Sequence, residues 1–366
     1  MKEAYLGAFD VGGTKVTVLI SDLSGRIIER LRESTLVQGG QFVRWKDGTA
    51  YYGISQQLVE MLHRAMASAG VNILSGIGIG SAGPIQEGTI RNSTNIKLQG
   101  IPKDLPNDPL YIPLVEPLAE SFSVPVYLDN DCSAGVLGEL YYGAGKETLD
   151  KRNLHLVYVT LSTGFGGGVW DGGHLVRGKE GNTEVGHFVV HKGGLKCGCG
   201  NYGCAEAYCS GSGIAKNARI QLVNEGLPMN EPLMHLAKAA ANGRGLSSIS
   251  GTRWQLLEFI DAPLVFEAAI SGDGIAKRVL QEACYHGGIA LANIANAYDP
   301  DIISFGGSIA INHPKFVEEM KVEMEQHLNV SSPKVQITPL GDKAVEYGAM
   351  VLAQQASANS SMGHQY

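Results

Sequence analysis

A chain of 366 residues exceeds what one hydrophobic core ordinarily supports, so two domains of roughly 120 to 200 residues each are expected. With 44% hydrophobic and 18% charged residues, the composition is that of a soluble globular protein and excludes a disordered or fibrous one. A formal net charge of -7 with scattered Lys and Arg argues against a nucleic-acid or acidic-lipid partner, and no apolar run reaches the roughly 20 residues of a membrane span. Met-Lys-Glu leads straight into a strand pattern without a signal-peptide core, which points to the cytoplasm.

The apolar run 4–9 meets Asp10-Val-Gly12-Gly13-Thr14-Lys15, and residues 16–20 resume with β-branched side chains, so strand, glycine turn, strand is predicted. Residues 36–55 show no period and read as an excursion from the first domain. Ile54, Leu58, Met61, Leu62, Ala65 and Met66 recur at helical spacing, with Gly70 as a stop. Residues 77–80 read as a buried strand ending at Ser81-Ala-Gly83-Pro84, a turn whose glycine and proline place it at a sheet edge. The stretch 102–117 carries five prolines and is expected to be an irregular loop.

Residues 124–128 form a strand, and Asp129-Asn130-Asp131 lies where a helix begins, with Ala134, Leu137, Leu140 and Tyr141 as its apolar stripe. Residues 154–161, a turn over 162–168 and Val169-Trp170 repeat the first strand-turn-strand plan. Helical patterns near 280–297 and 314–328 flank the strand 302–305, which meets Gly306-Gly307-Ser308. The last ten residues have the composition of a frayed end.

Glycines after a strand let backbone N–H groups approach an anion, because no Cβ intervenes and positive φ is accessible. In the first turn Thr14 can donate a hydroxyl, Lys15 can add charge, and Asp10 can orient a water of Mg2+. An ordinary β-hairpin uses the same glycines, so one turn alone is ambiguous. The second turn, with Thr163 and Gly164, offers the same chemistry, and two such turns can clamp the phosphates of one nucleotide. Neither is a Walker loop or a dinucleotide fingerprint.

Cysteines stand at 132, 197, 199, 204, 209 and 284. His187 precedes Cys197-Gly-Cys199-Gly-Asn-Tyr-Gly-Cys204 by ten residues, and three thiolates with one imidazole make a closed, structural tetrahedral zinc site. Buried free thiols and a disulfide are the alternatives; strain in a C-x-C bridge and a reducing compartment weigh against the latter. Cys132, Cys209 and Cys284 read as core cysteines.

The paired glycine hairpins resemble those of the actin-like ATPase superfamily, and Gly306-Gly307-Ser308 resembles its adenosine-side loop. With Leu128-Asp-Asn-Asp131, Glu184-x-Gly-His187 and Cys-Gly-Cys-Gly-x-x-Gly-Cys-x-Glu206 added, the chain resembles the ROK family over nearly its whole length. The resemblance implies an α/β fold of two actin-like (ribonuclease H-like) domains around a central cleft with a small zinc-stabilised loop. The smaller domain would comprise 1–125 plus a return at about 345–366, and the larger 126–344 with the zinc motif 187–204.

The same resemblance implies a kinase using ATP and Mg2+, with structural Zn2+, that phosphorylates the 6-hydroxyl of a hexose or N-acetylhexosamine. Asp131 would be the catalytic base. Gly83, Thr94, Asn95, Asn130, Asp131, Glu184, His187 and Glu206 would bind sugar. Asp10, Gly12, Gly13, Thr14, Lys15, Thr163, Gly164, Gly306 and Gly307 would bind the nucleotide. A homodimer or homotetramer is expected on the same ground. Carboxylates and amides suit sugar hydroxyls, which both donate and accept, and His187 can bind zinc with one nitrogen and offer the other to the sugar. Singly, Asn130 or Asp131 reads equally as a helix cap, and Glu184 or Glu206 as a solvated carboxylate.

Ala82-Gly83-Pro84 departs from the family's usual Pro-Gly turn. Ser93-Thr94 is similar to the N-acetylmannosamine kinase branch, with Thr94 facing an acetamido group, so N-acetylmannosamine is the first acceptor expected and glucose the second. The rival within the family is a sugar-responsive repressor, which carries a helix-turn-helix ahead of the kinase-like body; a strand already begun by residue 4 leaves no room for one. A non-kinase actin-like ATPase is the rival outside it, and the Cys3His cluster beside Glu184 and Glu206 speaks against it.

Overall fold

The computed structural model describes residues 4–93, 95–105, 107–179, 183–243 and 253–361. The first sheet has the strand order Val126–Asn130, Leu74–Ser81, Tyr5–Val11, Lys15–Asp22, Ile27–Ser34. Tyr5–Val11 is apolar on both faces because both faces are covered. It pairs antiparallel with Lys15–Asp22 on one side and parallel with Leu74–Ser81 on the other. Leu74–Ser81 in turn pairs parallel with Val126–Asn130. Leu74–Ser81 is therefore an inner strand of this sheet, and the Gly83-Pro84 turn beyond its end leads into Ile85–Gln86, the edge strand of a second, small sheet, as the turn residues suggest.

One face of this sheet is covered by the helix Gly53–Ala69, whose Ile54, Leu58, Met61, Leu62 and Ala65 pack with Phe9, Val18 and Ile79. Gly70, at φ 67, closes the helix in the left-handed conformation. Ala349 and Met350 of the C-terminal helix Ala344–Ser361 pack on Ala8 and Leu19 across the other face. That helix also lies against the helix Asp131–Tyr141. Backbone contact between the two is close: a Cβ on Gly348 would stand 1.7 Å from the Ala134 carbonyl oxygen.

Residues 36–55 supply the hairpin Phe42–Trp45 and Gly48–Tyr51, which extends through Leu110–Pro113, Thr89–Arg91 and Ile85–Gln86 as a small sheet. The stretch 102–117, expected as irregular, thus contains a strand. Pro113 ends it and Pro109 precedes it, so Leu110, Tyr111 and Ile112 keep their N–H groups. The next sheet has the order His174–Leu175, Phe165–Asp171, His155–Leu161, Ile302–Gly306, Lys334–Ile337, and its second turn spans only Ser162 to Gly164, since Gly166, Gly167 and Gly168 already belong to a strand.

By compactness the chain divides into one unit of Met1–Tyr158, Gly168–Thr183 and Thr338–Tyr366 and another of Val159–Gly167 and Glu184–Ile337. Residues 126–141 fall in the first. The predicted helices near 280–297 and 314–328 are Gly274–Tyr298 and Pro314–Glu325 of the second. The C-terminal helix continues to Ser361, and residues 362–366 of the expected frayed end lie outside the described residues. No helix among the described residues is long and apolar enough to cross a membrane.

Candidate functional site

Within the first unit, three neighbouring strands end at one level: Val11 is in register with Ser81, and Ser81 with Asn130. The segments that follow, Gly12–Lys15, Ala82–Pro84 and the start of the helix Asp131–Tyr141, therefore emerge side by side at the carboxyl edge of the sheet, where open α/β sheets bind ligands. The first turn is closed by Gly12 N donating to Lys15 O at 2.9 Å. Thr35 braces it from behind, its N–H reaching Thr14 O at 3.0 Å and its hydroxyl Gly12 O at 2.7 Å. Asn95 lies directly on this turn: a Cβ on Gly13 would stand 2.0 Å from the Asn95 carbonyl oxygen, so only glycine fits.

Asn130 is the N-cap of its helix, its side-chain oxygen accepting from Cys132 N at 2.9 Å, and Asp131 Oδ1 accepts from the same N–H at 2.8 Å. The capping role weighed against these two residues is thus real, and it fixes both carboxyl and amide at the sheet edge. Burial pushes the Asp10 carboxyl up to about 7, helped by the charges of Asp131, Glu346 and Asp342 and opposed by Arg32. One group here, Arg177, escaped the sequence, whereas Ser93 was named there only as part of the Ser93-Thr94 pair. Arg177 forks onto Asp129 Oδ2 through Nε at 3.0 Å and Nη2 at 2.6 Å, fixing the residue before Asn130. Ser93 Oγ, beside Gly83, is buried without a hydrogen-bond partner among the described residues. Thr94 lies outside the described residues.

In the second unit, Ser162 N donates to Gly164 O at 3.0 Å and closes the second turn. Gly307, at φ 86, follows the strand Ile302–Gly306 and caps the short helix Ser308–Asn312. His187 ends a 3-10 turn that begins after Glu184, and its Nε2 stands 3.7 Å from Glu184 Oε2. Glu206 opens the helix Glu206–Cys209; one of its oxygens accepts from Phe165 N at 3.2 Å, and the other is 3.6 Å from Cys197 Sγ.

His187, Cys197, Cys199 and Cys204 present four ligand atoms within 4.8 Å of one another, a Cys/His cluster of metal-binding geometry. Cys199 Sγ to Cys204 Sγ is 3.8 Å and Cys197 Sγ to His187 Nδ1 is 3.7 Å. A tetrahedron with metal–sulfur bonds of about 2.3 Å and a metal–nitrogen bond of about 2.0 Å has edges of roughly 3.5 to 3.8 Å, so the spacing fits a closed four-coordinate ion and not a disulfide. Cys132, Cys209 and Cys284 are buried away from the cluster, as expected, and burial raises the Cys209 and Cys284 thiols.

Fold and site together define a mixed α/β protein with glycine turns at strand ends and a Cys/His cluster behind one of them. The model of the ROK family matches residues 6–356, and the chain belongs to that family. It is 28% identical over 377 residues to a glucokinase of Halalkalibacterium halodurans, covering 100% of this chain and 99% of the relative. It is 25% identical over 358 residues to a xylose repressor of Caldicellulosiruptor bescii, covering 95% of this chain and 78% of the repressor. The structure of a ROK family glucokinase from Streptomyces griseus in complex with glucose and AMPPNP superposes with a TM-score of 0.68 at 26% identity, covering 96% of this chain and 100% of that one. The actin-like α/β fold expected from the sequence is therefore the fold of the chain.

Proposed function

We propose that this chain is an ATP-dependent sugar kinase that transfers the γ-phosphoryl group to the 6-hydroxyl of a hexose, with Asp131 as general base. The observation that carries the proposal is the register of the first sheet, which sets Asp131, Gly83 and the Asp10–Lys15 turn side by side at one strand edge. The proton of the primary hydroxyl passes to Asp131 as its oxygen attacks the γ-phosphorus, and the bond to the β-phosphate oxygen breaks to release ADP. Asp10 would hold the waters of a Mg2+ that accompanies the nucleotide, and the N–H groups of the first glycine turn would offer donors to phosphate oxygens, as those of the second turn would in its own unit. Gly306 and Gly307 would contact the adenosine by family resemblance. By the family resemblance, Asn95 and Asn130 of the first unit, and Glu184, His187 and Glu206 of the second, would be sugar ligands.

The ion of the Cys/His cluster is proposed as Zn2+, whose preference for thiolate and imidazole in four-fold coordination matches the donor set. Its four protein ligands leave no open position, so its chemistry is structural.

Glucose is the proposed acceptor. The N-acetylmannosamine expectation rested on Thr94, which lies outside the described residues, and a glucokinase is matched over 99% of its length. The xylose repressor is matched over 78% of its length and makes DNA binding the alternative activity in this family. Asp131→Asn keeps the shape and removes the base: turnover should fall by about 10²- to 10⁴-fold while glucose and Mg-ATP still bind in a calorimeter. Near-native turnover in that variant would remove Asp131 from the mechanism, and specific retardation of genomic DNA fragments without glucose-dependent ADP release would favour the repressor.

A further inference from the structure

The second glycine turn is held from outside its own hairpin. Ser212, in the first turn of the helix Gly211–Asn224, donates its N–H to Thr163 O at 3.2 Å and its hydroxyl to the same oxygen at 2.9 Å. Gly211 N donates to Ser162 O at 2.7 Å. A trans peptide is planar, so its carbonyl and the following N–H point in opposite directions. Drawing the Ser162 and Thr163 carbonyls onto the helix therefore turns the N–H groups of Thr163 and Gly164 away from it.

The helix start is itself tied back to the Cys/His loop. Ser210, wholly buried, accepts from Gly213 N at 3.0 Å, donates to Glu206 O at 2.7 Å and stands 3.0 Å from Ser212 Oγ. Glu206 follows Cys204 by two residues and also accepts from Phe165 N. The turn is thus anchored at Ser162, Thr163 and Phe165 to the segment 204–213, which begins at a cluster residue.

We infer that Ser212 is a positioning residue for the nucleotide: it aims the Thr163 and Gly164 N–H groups at phosphate, and through Ser210 and Glu206 it makes that aim depend on the closed Cys/His loop. The inference rests on the kinase reading, in which this turn receives phosphate. The metal loop then governs nucleotide affinity as well as the sugar side.

The test compares Ser212→Ala and Ser212→Thr in metal-loaded protein, by calorimetry with Mg-ATP and by steady-state kinetics with glucose. Ser212 is exposed, so neither change touches the core. Ser212→Ala should weaken Mg-ATP binding and raise KM for Mg-ATP by about tenfold, equivalent to about 1.4 kcal/mol, with KM for glucose changed by less than about twofold. Ser212→Thr keeps the hydroxyl and should restore both values. Protein stripped of its metal and returned to Mg2+ buffer should lose Mg-ATP affinity in the same way. An unchanged dissociation constant in Ser212→Ala, equal rises in both KM values, or full nucleotide affinity after stripping overturns the inference. Calorimetry needs no turnover, so the predicted loss of nucleotide binding in a protein that phosphorylates no sugar would sink the kinase reading and leave the positioning role standing.

Discussion

Asp10 shows how neighbours rewrite one side chain. Its carboxyl is raised from an ordinary 3.8 to about 7, so ionising it costs the folded protein more than the unfolded chain. The stabilising contribution of its protonated form is complete below pH 3.8 and is lost as pH rises to about 7. Asp10→Asn should therefore melt higher than the native protein at pH 8 in the absence of Mg2+ and nucleotide, by on the order of 1 to 4 kcal/mol, and the gain should shrink toward zero at pH 4. A gain of equal size at both values would place the Asp10 carboxyl in its ordinary range. At this scale the sequence was legible where partners are close along the chain, as in Asp10–Lys15 or Cys197 to Cys204. It was silent where they are distant: Arg177 reaches Asp129 across 48 residues, and Ser212 reaches Thr163 across 49.

Among elements, those set by a strong period were legible, and those set by pairing were not. The helix Gly53–Ala69 followed from its apolar spacing and Gly70. The strand Leu110–Pro113 did not, because prolines at its margins mask a strand whose partners, Gly48–Tyr51 and Thr89–Arg91, lie far away in sequence. The loop 187–204 forms no sheet apart from isolated bridges, and three cysteines and a histidine converge within it. Metal binding is then part of its folding free energy. Chelation, or Cys204→Ser, should lower the melting temperature by several degrees and bring metal content from one ion per chain toward none. Protein purified without metal yet melting at the same temperature as metal-loaded protein would show that the cluster is a set of buried thiols.

For the whole molecule, the repeated strand-glycine-strand plan announced two related sheets, and the joint spacing of the motifs announced the family, although each motif alone was ambiguous. Where the units begin and end was less legible, since residues 126–141 join the first unit through the parallel pairing of Val126–Asn130 with Leu74–Ser81 and the packing of Asp131–Tyr141 on the C-terminal helix, and neither partner leaves a local turn signal. The acceptor was least legible, because discrimination between hexoses depends on a few hydroxyl contacts. The measurement that bears most directly on the kinase assignment is ADP release from Mg-ATP with glucose, mannose, fructose, allose, N-acetylglucosamine and N-acetylmannosamine. The account predicts release that requires a sugar, strongest with glucose and accompanied by the 6-phosphate of that sugar; release that no sugar on this panel stimulates would contradict it.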